Sequence, residues 1–96
     1  MYWHLPVTDN EWAVVFAPAA RRQLAALSPD VQRRITRVID ALAAEPRPHG
    51  AMVLAGDRSI WRVRVGDYRV LYEIRGEELV VMVVGIGHHR EVYRGL

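Results

Sequence analysis

The chain contains no cysteine and no lysine. Without cysteine there can be no disulfide and no thiolate metal site, and the cytoplasm is the expected compartment. Without lysine, all thirteen basic residues are arginine. A guanidinium is a permanently charged planar fork suited to phosphates and bases, and it cannot accept a proton at neutral pH. No apolar run approaches the roughly 18 residues of a membrane span, so no membrane partner is expected. The opening residues, MYWHLPVTDNE, lack the basic stretch followed by an apolar one that marks a secretion signal. Internal repeats and low-complexity tracts are also missing.

What is present fits one domain: 96 residues, able to bury roughly 60–65% of the unfolded surface. A net charge of +2 accompanies a pI of about 9.5. A mildly basic, arginine-only chain points to an anionic partner: RNA, DNA or an acidic protein.

The most informative stretch is Ile60 to Ile74, IWRVRVGDYRVLYEI. Trp61, Val63 and Val65 alternate with Ile60, Arg62 and Arg64. After Gly66-Asp67, the residues Tyr68, Val70, Tyr72 and Ile74 alternate with Arg69, Leu71 and Glu73. Period-two alternation split by a Gly-Asp pair reads as a β-hairpin. A two-residue loop sets Val65 against Tyr68 and Arg64 against Arg69. One face is then apolar, with Tyr68 and Tyr72 in the core. The other carries Arg62, Arg64 and Arg69, and facing like charges are unfavourable on a sheet. An anion between them would resolve the conflict.

Around this hairpin, residues 1–11 read as an irregular lead-in and residues 12–96 as the folded domain. Trp12 to Phe16 reads as a strand. Pro18 opens a helix to about Leu27, with Leu24 and Leu27 inward and Arg21, Arg22 and Gln23 outward. Ser28-Pro29-Asp30 starts a second helix, with Ser28 as N-cap. Its stripe is Val31, Ile35, Val38, Ile39 and Leu42, and Arg33, Arg34 and Arg37 form a solvated face. Pro46 and Pro48 end it. A loop follows, with an extended piece at Ala51 to Leu54. Leu79 to Ile86, LVVMVVGI, reads as a central strand buried on both faces. The fold class is α+β: strand, αα-hairpin and three antiparallel strands, with both helices on one face of an antiparallel sheet.

Three pieces, Trp61–Ile74, Leu79–Ile86 and the ending GHHREVYR at Gly87–Arg94, together resemble the RelE/ParE toxin superfamily of toxin–antitoxin modules. The likeness covers about Trp12 to Arg94. It implies a small cytoplasmic toxin with a microbial-RNase-like fold, neutralised by a cognate antitoxin. RelE-type members are metal-independent ribonucleases that enter the ribosomal A site and cut mRNA. ParE-type members instead poison DNA gyrase without catalysis. The resemblance carries the functional set of the ribonucleases onto Arg62, Arg64 and Arg69, one of His88, His89 and Arg90, and Tyr93. Many relatives read Gly-His-Arg-Arg where this chain has Gly87-His88-His89-Arg90, and the first basic pair is often lysine. No cofactor and no metal is implied.

The residues are chemically adequate for that reaction. Cleavage by 2′-OH attack needs a proton acceptor, a proton donor, cations around the phosphate and a grip on the bases. Arginines supply the cations, and His88 or His89 the acceptor, since imidazole exchanges protons near neutrality. Tyr93 could stack on a base or orient the phosphate. Alternation puts the two histidines on opposite faces. With Ile74 opposite Leu79, His88 and Arg90 share the arginine face, and a bulge at Gly85 or Gly87 would swap this. His4 and His49 read as ordinary surface residues. A metal site at His88-His89 is disfavoured, because adjacent strand residues point apart.

Overall fold

The computed structural model describes residues 3–4, 12–54 and 57–90, with 3–4 and 57–58 described by backbone alone. Trp3–His4 (β1) runs antiparallel to Ala13–Phe16 (β2), Trp3 opposite Phe16 and His4 opposite Val15. The rest of the expected lead-in lies outside the described residues.

Ala17 is extended and Pro18 occupies the first helical turn, so Pro18–Ala25 (α1) begins where the missing N–H is harmless. It ends two residues short of the expected Leu27. Gln32 Nε2 donates to Ala25 O at 3.2 Å and Leu27 O at 2.9 Å, occupying carbonyls that the helix end leaves free. Pro29–Ala44 (α2) starts after Ser28, which is N-cap by backbone only, its hydroxyl making no capping bond. Asp30 supplies the favourable negative charge in the first turn. Ile35, Ile39 and Leu42 are fully buried, one helical stripe against the sheet. Glu45 is extended, as a residue before proline prefers, and the helix stops there.

Met52–Leu54 (β3), Asp57–Val65 (β4), Tyr68–Arg75 (β5) and Val80–His88 (β6) complete a six-stranded sheet in the order β1-β2-β6-β5-β4-β3. β4, β5 and β6 are antiparallel as expected. β2 is not: it lies parallel to β6, with Ala13 opposite Val80 and Phe16 opposite Val83, so the sheet is mixed. The αα-hairpin carries the chain back over the sheet before β3 begins, which allows this parallel insertion.

The main core joins Val14, Phe16, Ala20, Ile35, Ile39 and Leu42 to Val63, Val65, Val70, Tyr72, Val81, Val83 and Ile86. Both helices therefore cover the sheet face that alternation assigned to Tyr68, Val70, Tyr72 and Ile74. On the opposite face a small cluster of Ile60 and Leu71, with Leu54 and Val84 against it, covers the middle. β6 is thus buried on both faces. Tyr72 OH donates to Pro46 O at 2.7 Å, and the Arg47 guanidinium lies 5.3 Å from the Trp61 ring centre, fastening the post-helix loop to the hairpin.

Candidate nucleic-acid interface

The β4–β5 turn is as tight as its sequence requires. Val65 pairs with Tyr68 and Arg64 with Arg69. Gly66, at φ 61°, takes the left-handed first position of a two-residue hairpin loop, where a side chain would be strained. Val63, Val65 and Val70 point into the core, so Arg62, Arg64 and Arg69 stand on the open face by alternation.

Their environments differ. Arg64 is exposed, while Arg62 and Arg69 are half-buried. Arg62 Nη2 lies 2.8 Å from Met52 Sδ on the neighbouring edge strand. Arg69 Nε is sealed from solvent and has no hydrogen-bond partner among the described residues. No carboxylate pairs with any of the three among the described residues. A buried N–H without an acceptor costs roughly 1–3 kcal/mol. Facing like charges add a few tenths to about 1 kcal/mol. An anion reaching both guanidiniums would relieve both costs.

The end of β6 departs from the expected register. Ile74 pairs with Val81, not Leu79, because residues 76–79 form a longer turn. Between Leu71 and Tyr72 the pairing then slips, so that Leu71 faces Gly85 while Tyr72 faces Val83. Val84 is the extra residue of a bulge, and beyond it every side chain changes face. Gly87 consequently stands opposite Arg69, and His88 opposite Tyr68. His88 thus does not share the arginine face. The position on β6 beside Arg69 carries no side chain at all.

The two imidazoles do not point apart either. The strand ends at His88, and His89-Arg90 turn. The rings lie 4.4 Å apart with a 38° tilt. Tyr68 meets His88 edge-on at 6.0 Å. His88 Nδ1 accepts from Arg90 N at 3.3 Å, and His89 N donates to Asp67 O at 2.9 Å, tying this segment to the hairpin turn. Arg90 is exposed in the turn. Tyr93 lies outside the described residues. The structure therefore brings together Arg62, Arg64 and Arg69 on one face, with the histidine pair at the turn end of the same hairpin.

Two contributors escaped sequence reasoning. Gln23, expected to face outward, has its Oε1 2.8 Å from Ile86 N and accepts from it. β2 stops opposite Val83, so this amide would otherwise lack a strand partner. Arg34, assigned to the solvated face of α2, reaches the hairpin turn. Neither position stands out from its polar neighbours in the sequence.

Comparison with known proteins places these features among relatives. The family model for the ParE toxin of the type II toxin–antitoxin system parDE matches residues 14–93. The toxin RelG of Mycobacterium tuberculosis is 29% identical over 84 residues, covering 86% of this chain and 97% of RelG. The crystal structure of the toxin–antitoxin complex RelBE2 from the same organism superposes with a TM-score of 0.74 at 27% identity, over 82% of this chain and 99% of that one. The isolated E. coli RelE toxin gives 0.72 at 20% identity, over 80% and 83%, a likeness of fold.

Proposed function

The chain belongs to the ParE family of toxins of type II toxin–antitoxin systems, and from that premise we propose that it is an endoribonuclease of the RelE kind, cutting mRNA at the ribosomal A site without a metal and silenced by a cognate antitoxin. One observation carries the reading. Arg64 and Arg69 face each other on the open side of the sheet, and Arg69 Nε is buried without a partner among the described residues, beside the bare backbone of Gly87. That is a site short of an anion.

In this reading the scissile phosphate sits between Arg64 and Arg69, with Arg62 adding charge. As the 2′-oxygen attacks, negative charge grows on the phosphorus oxygens, where preorganised guanidiniums stabilise it most. His89, whose ring nitrogens have no hydrogen-bond partner among the described residues, accepts the 2′-OH proton, and as the new P–O2′ bond forms the P–O5′ bond breaks, leaving a 2′,3′-cyclic phosphate and a 5′-oxygen that takes its proton from water. His88, engaged through Nδ1, holds the segment in place. Arg90 and Tyr93 lie next along the chain and grip the RNA. An antitoxin segment bearing acidic and apolar residues would cover the same face. The RelBE2 relative was seen in a toxin–antitoxin complex, which supports that partner.

The name of the matching family favours a second reading, a gyrase poison that does not cleave RNA. Two assays on one purified protein separate them: mRNA cleavage in a translating extract, and supercoiling by gyrase. Arg69→Ala should lower cleavage by about 10²–10³-fold with the fold intact. His89→Ala should cost more than His88→Ala. Intact mRNA beside inhibited supercoiling would sink the ribonuclease reading.

A further inference from the structure

On α2, Arg33 pairs with Asp30. Arg34, the next residue, does something else. Its Nη2 lies 2.5 Å from the place a Cβ on Gly66 would occupy, and its Cζ 3.7 Å. The guanidinium rests on the bare backbone of the β4–β5 turn, yet Arg34 remains exposed and has no carboxylate partner among the described residues.

The turn it touches joins Val65 to Tyr68, and the next rung is Arg64 opposite Arg69. A guanidinium from the helix layer and two from the open face therefore converge on one tip of the molecule. The two-residue turn separates them. His89 is bonded to the same turn through Asp67 O. Asp67 contributes one exposed carboxylate there, too few to balance three fixed positive charges.

We propose that Arg34 is a second phosphate site: single-stranded RNA held at Arg64 and Arg69 continues over the Gly66 turn, and Arg34 takes the phosphate of a neighbouring nucleotide. The site rests on the ribonuclease reading and extends it, because it requires a substrate running past the scissile bond. Gly66 serves twice, permitting the turn and leaving room above it for a guanidinium. Packing of the long side chain on the turn leaves less rotamer freedom to lose on binding. Contact here is to the backbone, so it adds affinity without base preference.

The test uses a fluorescent, uncleavable 2′-O-methyl RNA of about twelve nucleotides, within the usual footprint of single-strand binders. Its affinity is measured between about 50 and 200 mM salt. Each phosphate contact on a single strand adds about 0.7 to the slope of log affinity against log salt. Arg34→Ala and Arg34→Gln should each flatten that slope by about 0.7. Arg22→Ala, an equal loss of charge on the exposed side of α1, should leave it unchanged. On ribosomes carrying mRNA, Arg34→Ala should raise KM and keep kcat, whereas Arg69→Ala lowers kcat. Wild-type slope and KM in both Arg34 variants overturn the site, whether a lowered Tm marks a mere buttress of the turn or a weakened antitoxin complex marks a protein contact. If Arg69→Ala is also unaltered in every RNA assay, the ribonuclease reading itself has failed.

Discussion

At the scale of single residues, the molecule separates groups that stabilise the fold from groups that strain it. Tyr72 belongs to the first kind. It is fully buried, and its hydroxyl donates to Pro46 O. Burial pushes its pKa up to about 12, an effect that Arg47 partly offsets and Glu45 adds to. The folded state therefore favours the neutral phenol. That stabilisation is complete below the unfolded value of about 10 and is lost as pH rises from there through about 12. Urea titrations should show stability falling between pH 10 and 12 in the wild type. Tyr72→Phe should be less stable by about 1–2 kcal/mol at pH 7, because Pro46 O loses its donor, and should show less of the alkaline decline. Arg64 and Arg69 are of the second kind. Their opposition was legible in the sequence, since strict alternation about Gly66-Asp67 admits one pairing. The sealed Nε of Arg69 was not, because it depends on how neighbouring strands close around it.

Among the elements, legibility follows how local the determinants are. α2 was readable from its apolar stripe and its Ser-Pro-Asp start, and the β4–β5 register from its turn. The end of β6 was not. Gly85 and Gly87 can both accommodate a bulge, and the run LVVMVVGI is apolar on either face, so no pattern marks Val84 as the extra residue. The consequence fell on the site, where Gly87 takes the place beside Arg69 and the histidines come together. Strand direction was equally hidden: a short run such as AVVF pairs parallel or antiparallel with the same side chains. The β5–β6 connection holds Leu79 at φ 54°, more than half exposed, a conformation that suits glycine far better than leucine. Leu79→Gly should stabilise the protein by about 0.5–1 kcal/mol, the relieved strain exceeding glycine's added chain entropy. A rise in the urea midpoint with unchanged slope would confirm it.

For the whole molecule, the two faces of the sheet divide the labour. Helices and the larger core take one side, leaving the arginines on the other. Expression of this chain alone should arrest growth, and coexpression with its cognate antitoxin should restore it. Arrest should also fail for Arg69→Ala expressed at equal level. Harmless accumulation of the soluble wild-type protein would argue against toxicity altogether. Time enters through the parallel pair of the sheet, β2 and β6. β2 is made first among the core strands, yet its partner on β6 is Val80–Val83, so Phe16 waits for Val83. At about 5–20 residues per second, the 67 residues from Ala17 through Val83 (83 minus 16) take roughly 3–13 s to synthesise. A nascent chain cut short before β6 lacks both the partner of β2 and Gly87, which stands opposite Arg69. On the proposed ribonuclease reading, activity is thus withheld until synthesis is nearly finished, a delay within which an antitoxin already present can meet the completed face.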